Sequence, residues 1–445
     1  MYKFSVSGLR GKVFSEVFPF DFFSFAYIFA KKQKAEKILV GRDTRPTSEA
    51  FYFSSVAGIL QSGKNVVDCG IIPTPTLVFA SGYLKLPGIV ITASHNPVDE
   101  NGLKFVSARG RFLFENEIKL LKLEKIEKEL KKKEPKIQIL NKEEIFFEHA
   151  QKIKKYLGAK IENFSDLKVG IDGVNGSVSS EIDYFCNFFS LNFSPLFLKE
   201  KIDKDFPREP EPSPGALKRL SNLVKEKRLH LGIGFDPDGD RVAFVCENGE
   251  ILSEEYTLPF SLLYYLEKKK SPVVCNFSTS LLVDDVCEKF GVPLYRTKVG
   301  ESNVVYQMIK RKSFIGGEGN GGVIVKDVNL TRDGLVAFYL ILSLIKEKGK
   351  PLSILKKTFN DYIIIKRKLE FKKDFFLKMK AKIKKEVKRL FRKNLVINEE
   401  DGLFCYQRNF LFHLRPSNTE KLLRLIINTD DEKIVEKLYE ILCVE

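Results

Sequence analysis

The chain has 445 residues, 44% of them apolar, and 74 Lys and Arg against 58 Asp and Glu give a formal charge of +16. This length and composition are typical of a globular protein of several domains and exclude a wholly disordered chain. No apolar run reaches the roughly 20 residues that a membrane span requires, and the amino terminus lacks a signal-peptide pattern. The seven cysteines are scattered and form no Cys-x-x-Cys pair. We therefore expect a cytoplasmic protein with reduced thiols and no membrane partner.

Short apolar runs alternate with helical periodicities along the chain, which predicts α/β units with mostly parallel strands. Three such units, repeated at intervals of about one hundred residues, begin with predicted strands at residues 37–40, 167–171 and 273–276. The proline-rich segment 206–214 is predicted to be loop or extended backbone. From composition we place four domains at residues 1–150, 151–250, 251–365 and 366–445.

The first motif is Ile91-Thr-Ala-Ser-His-Asn-Pro97, which follows an apolar run at residues 88–91. We expect Ser94 on an exposed loop at the carboxyl end of that strand, where α/β folds place reacting groups. The neighbouring His95 is suited to hydrogen-bond the hydroxyl, or a phosphate that it carries. An ordinary turn is the alternative, because Ser-His dipeptides are common in turns.

The second motif is Phe235-Asp-Pro-Asp-Gly-Asp-Arg241, with carboxylates at Asp236, Asp238 and Asp240. Three carboxylates that turn toward one centre require a cation, since they otherwise repel one another. Oxygen ligands select Mg²⁺, Mn²⁺ or Ca²⁺. A calcium EF-hand is disfavoured because Arg241 stands where that loop needs glycine and because both flanks predict strands. The pattern favours a metal site over a solvated acidic turn.

The third motif is the glycine-rich segment 316–322, which contains a GxGxxG pattern. The residues that follow predict a strand, whereas a dinucleotide fingerprint must open a helix. We interpret the segment as a loop that presents Glu318 and Asn320 to a polyhydroxyl ligand. A plain flexible turn is the alternative.

Much of the positive charge lies in residues 366–393, which carry a net charge of +11 and leave +5 for the other 417 residues. Apolar residues recur there at spacings of three and four, which predicts an amphipathic helix: Phe376, Met379, Ile383, Val387 and Leu390. We expect the apolar stripe to pack on a sheet and the lysines to be solvated. Binding of a polyanion is the alternative, although no nucleic-acid-binding motif accompanies the run.

The fourth motif is Leu414-Arg-Pro-Ser-Asn-Thr-Glu420, with Arg424 close behind it. Arg415 beside two hydroxyls and an amide supplies the donors that a phosphate dianion requires. The alternative is that Ser417 or Thr419 caps a following helix, and the two interpretations are compatible.

Taken together and in this order, the four motifs resemble the α-D-phosphohexomutase family, enzymes that interconvert hexose 1- and 6-phosphates. The resemblance extends from Ser7-Gly-Leu-Arg10-Gly to Arg424. It implies an α/β protein of three related α/β domains with mixed sheets and a smaller carboxyl-terminal α+β domain. In chain order, these domains would carry the phosphoserine, metal-binding, sugar-recognition and phosphate-binding loops.

The resemblance also implies roles for individual residues. The implied catalytic residues are Ser94, His95, Lys104, Arg10 and Arg241. The implied ligands of Mg²⁺ are Ser94 (as phosphoserine), Asp236, Asp238 and Asp240. The implied substrate-binding residues are Glu318, Asn320, Arg415, Ser417, Asn418, Thr419 and Arg424. In this scheme Lys104, from an Asn-Gly-x-Lys segment, is the general acid or base.

We therefore expect an active phosphohexomutase, a monomer or homodimer that acts on glucose and mannose phosphates through a hexose 1,6-bisphosphate intermediate and activator. The chain departs from the family where Gly322 replaces a common His, Lys421 replaces a common Pro, and residues 206–214 lack the usual Phe-Pro-Asn pattern. Phosphoglucosamine mutase is the alternative within the class. A nucleic-acid-binding protein on a degenerate mutase scaffold is the alternative outside it, disfavoured by the intact motifs.

Overall fold

The computed structural model describes residues 2–121, 126, 134–157, 163–371, 373–391, 393–417 and 422–442. In chain order, the strands form sheets of eight, four, four and five strands. This arrangement confirms the expected three α/β domains with mixed sheets and a carboxyl-terminal domain with an antiparallel sheet. None of the helices within these ranges is long and apolar enough to cross a membrane.

The first sheet lies between two layers of helices. Its strands are β1 (Lys3–Ser5), β2 (Gly8–Lys12), β3 (Lys37–Arg42), β4 (Asn65–Ile71), β5 (Gly88–Ile91), β6 (Glu100–Ser107), β7 (Arg111–Phe112) and β8 (Ile137–Ile139). Its helices are α1 (Pro19–Lys31), α2 (Ser48–Gln61), α3 (Thr74–Leu84), α4 (Glu115–Ile118) and α5 (Lys142–Leu157). Side chains of β3 alternate between the two faces, since Ile38 and Val40 pack with α1 and α2 while Leu39 packs with α3 and α5.

The second and third sheets are smaller. The second has β9 (Lys168–Asp172), β10 (Asn192–Leu196), β11 (Leu231–Phe235) and β12 (Val242–Cys246), with α6 (Ile182–Phe188) and α7 (Lys218–Glu226). The third has β13 (Val273–Asn276), β14 (Leu294–Thr297), β15 (Ile315–Glu318) and β16 (Gly322–Val325). The helices that accompany the third sheet are α8 (Thr257–Lys268), α9 (Leu282–Phe290), α10 (Glu301–Lys310), α11 (Gly334–Lys348) and α12 (Leu352–Lys356).

The same strand order recurs in all three α/β domains. The orders β4-β3-β5-β6, β10-β9-β11-β12 and β14-β13-β15-β16 each place the first strand of the unit between the second and the third. In each unit the fourth strand is antiparallel to the third. The predicted strands at 37–40, 167–171 and 273–276 match β3, β9 and β13, the first strand of each unit. The first three motifs therefore occupy one topological position, the connection between the third and fourth strands.

The second and third domains share one hydrophobic core. Helix α11 lies at its centre, and its residues 334–345 are all buried. A helix that is apolar on every side requires such surroundings, and α11 contacts α8 and β16 on one side and β12 and α5 on another. This shared core fixes the metal-binding motif of the second domain relative to the glycine-rich motif of the third.

The fourth sheet is antiparallel throughout. Its elements are β17 (Ile363–Glu370), α13 (Lys373–Leu390), β18 (Val396–Asn398), β19 (Leu403–Gln407), β20 (Phe410–Pro416), β21 (Leu422–Thr429) and α14 (Glu432–Leu442). The prediction of a helix after the fourth motif is wrong, because residues 422–429 form strand β21. Leu423, Leu425 and Ile427 alternate into the core and pair with β20, which decides in favour of a strand.

The basic segment forms helix α13, as its periodicity predicts. Met379, Ile383 and Val387 are buried in the core of the fourth domain, and Phe376 packs against them. On the outer side, Lys380 and Lys384 pair with Glu399. The stripe therefore packs on the sheet.

The exact domain limits remain predictions, since α5 runs across the limit at residue 150 and β17 begins before residue 366.

Candidate active site

Residues from all four domains line one cleft of about 360 Å³. Among the lining residues are nine that the sequence predicts: Arg10, His95, Lys104, Arg241, Glu318, Asn320, Arg415, Ser417 and Arg424. Backbone hydrogen bonds join the loops around it, from Thr74 N–H to the Asp238 carbonyl (2.9 Å) and from Val242 N–H to the Gly321 carbonyl (3.1 Å). The four sequence motifs thus converge on a single site. Asn418 and Thr419 lie outside the described residues.

Ser94 follows strand β5 at the carboxyl end of the first sheet, as predicted, but it is fully buried and not exposed. The loop of the second domain covers it, and its Oγ donates to Asp236 Oδ2 at 3.2 Å. Its backbone has φ of +53°, in the left-handed region that non-glycine residues rarely adopt. This hydroxyl is therefore held against a carboxylate of another domain by an uncommon backbone conformation.

The three aspartates of the second motif lie together and are buried. Oxygen atoms of Asp236, Asp238 and Asp240 all lie within 4.8 Å of one another. Burial and the two neighbouring carboxylates raise the pKa of Asp236 well above its usual value. Burial also raises the pKa of Asp238, but the ion pair with Lys104 outweighs this effect and leaves that pKa below its usual value.

Asp238 and Asp240 each have one oxygen that accepts from protein donors and one that accepts no hydrogen bond. Asp238 Oδ2 accepts from Lys104 Nζ (2.7 Å) and from Thr74 Oγ1 (2.8 Å), while Asp240 Oδ2 accepts from Arg332. Among the described residues, no hydrogen-bond donor reaches the buried Oδ1 atoms of Asp238 and Asp240, although Arg241 Nε lies 3.6 Å from Asp240 Oδ1. Burying carboxylate oxygens that accept no hydrogen bond lowers the free energy of unfolding unless a cation binds them. The donor set therefore fits an oxygen-liganded divalent cation such as Mg²⁺.

His95 lies near several cations and makes no hydrogen bond to the neighbouring Ser94 hydroxyl, which donates to Asp236 instead. Desolvation, followed by the charges of Arg241 and Arg10, lowers the pKa of His95 well below its usual value. Its imidazole is therefore neutral at pH 7, and the buried Nδ1 has no hydrogen-bond partner. Desolvation also lowers the pKa of Arg10 to about 10. This concentration of positive charge at the cleft suits an anionic ligand.

Glu318, at the end of β15, is a fully hydrogen-bonded carboxylate. Its Oε1 accepts from Asn276 Nδ2 (2.7 Å) and Gly300 N–H (3.2 Å), and its Oε2 accepts from Arg332 Nη1 (2.7 Å) and Asn320 Nδ2 (3.4 Å). Burial raises its pKa, but Arg332 and Asn276 lower it by more. Glu318 is therefore held in its ionised form and in a fixed orientation.

Arg332 is a residue of the site that the sequence did not reveal. Its guanidinium donates to Asp240 and Glu318, and its Nε lies 3.4 Å from Glu301 Oε2. A Cβ added at Gly322 would lie 2.2 Å from Arg332 Cδ, so the side chain of Arg332 occupies the space that a residue larger than glycine would need there. Gly322 and Arg332 are therefore complementary, because the absence of a side chain at residue 322 leaves the space that the Arg332 side chain fills.

The fourth domain brings two arginines to the cleft. Arg415 on β20 and Arg424 on β21 are directly opposite each other in the antiparallel pair. Desolvation and the charge of Arg424 lower the pKa of Arg415. Two arginines at directly opposed positions concentrate positive charge at this end of the cleft. With Ser417 at the end of β20, this pair suits a phosphate group.

Three models of the phosphoglucomutase/phosphomannomutase family match consecutive parts of the chain. They are described as its alpha/beta/alpha domains I, II and III, and they match residues 1–136, 144–249 and 255–362. Each match contains one complete β-β-β-β unit with its motif loop.

Curated relatives match over nearly the whole chain. A phosphoglucomutase/phosphomannomutase of Thermococcus kodakarensis is 30% identical over 98% of this chain and 97% of its own length. A phosphoglucosamine mutase of Shouchella clausii is 31% identical over 98% of this chain and 96% of its own. The crystal structure of a Burkholderia thailandensis family protein shares the fold, with a TM-score of 0.79, 20% identity, and coverage of 98% of this chain and 94% of its own. None of these matches supports nucleic-acid binding.

Proposed function

This chain belongs to the phosphoglucomutase/phosphomannomutase family, the α-D-phosphohexomutases, and we propose that it interconverts the 1- and 6-phosphates of a hexose through phosphorylated Ser94. One juxtaposition carries the proposal. The Ser94 hydroxyl lies 3.2 Å from Asp236, and the next residue, His95, lines the same cleft as the opposed Arg415 and Arg424. A mutase requires a phosphoryl carrier and a separate phosphate-binding group, because the free hydroxyl of its substrate must face the carrier while the substrate's own phosphate is held at the other end.

The chemistry is phosphoryl transfer between two oxygens. Mg²⁺ held by phosphorylated Ser94 with Asp236, Asp238 and Asp240 would neutralise charge on the phosphoryl group. Arg10 and Arg241 line the same cleft and would orient the phosphoryl oxygens.

In the first half-reaction the bond from phosphorus to Ser94 Oγ breaks and a bond to the free sugar hydroxyl oxygen forms. The hydroxyl proton passes to the protein, and Lys104, at the cleft wall, is our candidate for relaying it: its ammonium would give one proton to Asp238 Oδ2, to which it already donates at 2.7 Å, as it takes the proton of the hydroxyl. The product is a hexose 1,6-bisphosphate. It turns end for end, its other phosphoryl group returns to Ser94, and the proton returns to the sugar oxygen. Arg415 and Arg424 would hold the non-reacting phosphate in either orientation, so the isomerisation needs no redox cofactor.

We propose glucose and mannose phosphates as the substrates. The second candidate is glucosamine phosphate. Relatives named for either activity are about equally similar to this chain.

Initial rates on the 1-phosphates of glucose, mannose and glucosamine, each with Mg²⁺ and a hexose 1,6-bisphosphate, test the proposal. We expect turnover of glucose and mannose phosphates, and a gain of about 80 Da that maps to Ser94 after treatment with the bisphosphate. A higher kcat/KM for glucosamine phosphate would select the second candidate. No turnover of any of the three sugars and no phosphorylation of Ser94 would contradict the proposal.

Arg332 should contribute strongly to this activity. We predict that Arg332→Met lowers kcat/KM about 10²-fold, because it frees Asp240 and Glu318 to move by about 1 Å. Gly322→Ala should lower kcat/KM as well, since its methyl group would meet Arg332 Cδ and displace the guanidinium. Steady-state kinetics with thermal melting of each variant check the prediction. Unchanged kinetics in a folded Arg332→Met variant would contradict it.

A further inference from the structure

Arg45 lies beneath the Ser94 loop and uses every donor that it has. Its side chain is fully buried, and its Nε donates to Asp43 Oδ2 at 3.0 Å. Nη2 donates to the carbonyls of Ser94 (2.6 Å) and Asn96 (2.7 Å). Nη1 donates to the carbonyls of Pro97 and Glu100. A guanidinium has five N–H donors, and here four of the five bind carbonyls of a single loop.

The counter-ion of Arg45 belongs to the same network. Asp43 Oδ2 also accepts from Thr92 Oγ1 (2.7 Å), and Thr92 Oγ1 in turn accepts from the Ser94 N–H (2.8 Å). Both backbone polar groups of Ser94 are therefore held. Its N–H is bound through Thr92 and Asp43, and its carbonyl is bound by Arg45. The ring of Phe206, from the proline-rich segment of the second domain, lies 5.1 Å from the guanidinium carbon.

The loop needs such support for two reasons. Ser94 has φ of +53°, a conformation that persists in non-glycine residues only where the surroundings enforce it. The buried carbonyls of Ser94 and Asn96 would also lose the donors named above if Arg45 were absent. That backbone conformation directs Ser94 Oγ toward Asp236 at 3.2 Å.

We propose that Arg45 is a positioning residue for phosphoryl transfer, which holds the Ser94 loop so that the hydroxyl faces the metal-binding aspartates. The claim about the reaction rests on the proposed function, whereas the claim about the loop rests on the hydrogen bonds alone. Lysine cannot replace Arg45 in this role, because a single ammonium with three donors cannot span four carbonyls and a carboxylate.

The test compares Arg45→Lys with the wild type and with Arg42→Lys. Arg42, three residues earlier, donates only to the Asp43 carbonyl (3.4 Å) and pairs with Glu49, so its replacement leaves the loop contacts intact. We expect Arg45→Lys to lower kcat about 10²-fold. KM should stay within about threefold of the wild-type value, because Arg415 and Arg424, the proposed binding residues for the non-reacting phosphate, are in the fourth domain. Amide hydrogen exchange of residues 93–101 should become faster in Arg45→Lys alone.

Each outcome decides the proposal. Unchanged exchange in residues 93–101, or a raised KM with an unchanged kcat, overturns the positioning role. If Arg45→Lys does not fold, the double variant Asp43→Asn/Arg45→Met removes both buried charges together, and its exchange in the same segment is measured instead. If the wild type turns over none of the sugar phosphates, the proposed function fails, but the exchange comparison still decides whether Arg45 holds the loop.

Discussion

Ser94→Ala should abolish the interconversion of hexose phosphates, with kcat lower by at least about 10⁴-fold. Alanine offers no oxygen to carry the phosphoryl group, so neither half-reaction can begin. The fold should remain intact, because the substitution removes only one hydroxyl. Its hydrogen bond to Asp236 contributes about 1 kcal/mol to the free energy of unfolding. A coupled assay of 6-phosphate formation and intact mass after bisphosphate treatment measure the two consequences.

The matched control is Ser81→Ala. Ser81 is also a buried serine of the first domain, on α3, and its Oγ donates to the Leu86 carbonyl away from the cleft. This variant should keep both the activity and the gain in mass. Residual mutase activity in Ser94→Ala, or an unchanged gain in mass that maps to another residue, would contradict the role that we assign to Ser94.

Among the single substitutions that we propose, replacement of His149 should lower the free energy of unfolding most. His149 is fully buried, with Nε2 2.9 Å from Asp333 Oδ2 and Nδ1 3.3 Å from Glu181 Oε1. Glu181 also accepts from Thr76, and Asp333 Oδ1 accepts from the first N–H groups of α11. The cluster therefore joins helices of all three α/β domains. His149→Ala leaves two buried carboxylates without their cation, which costs about 3–5 kcal/mol of unfolding free energy.

The same cluster predicts a pH dependence. Burial lowers the pKa of His149, but Asp333 and Glu181 outweigh this effect and raise it to about 10, above the usual value of 6.5. A group whose pKa is raised by folding stabilises the protein fully below its unfolded pKa, and that stability is lost as the pH rises through the folded value. We therefore expect this contribution to decline between about pH 6.5 and pH 10.

Thermal and urea unfolding across this pH range measure both effects. The double variant His149→Gln/Asp333→Asn removes the ion pair but keeps a side chain that can cap α11, so its stability should decline less over the same range. His230→Ala is the control for loss of a histidine, because His230 is exposed and accepts only from the Lys168 N–H. A His149→Ala variant as stable as His230→Ala would contradict the prediction.

The strands that carry the motifs were predictable because their information is local. Apolar runs before Ser94 and Asp236 predicted strands β5 and β11, and the spacing of the aspartates predicted that their carboxylates converge. The strand β21 was not predictable in the same way. A short polar motif resembles a helix cap, and only pairing with β20 decides that the residues after it are extended.

The residues missed by sequence reasoning all act through long-range contacts. Arg45 lies 49 residues from the Ser94 carbonyl that it binds, and Arg332 lies 92 residues from Asp240. His149 lies 184 residues from Asp333. No local spacing relates such pairs. Among 74 Lys and Arg, a single arginine has no sequence feature that marks it as a residue of the site, and an isolated histidine outside a motif has none either.

The α/β architecture, the family resemblance and nine of the residues that line the cleft follow from the sequence alone, because each of these depends on short patterns of side chains along the chain. Only the tertiary structure decided that Ser94 is buried against Asp236, that Arg45 holds its loop, and that Arg332 takes the space beside Gly322. These features depend on how separate domains pack, and packing brings together residues whose separation in sequence contains no trace of their contact.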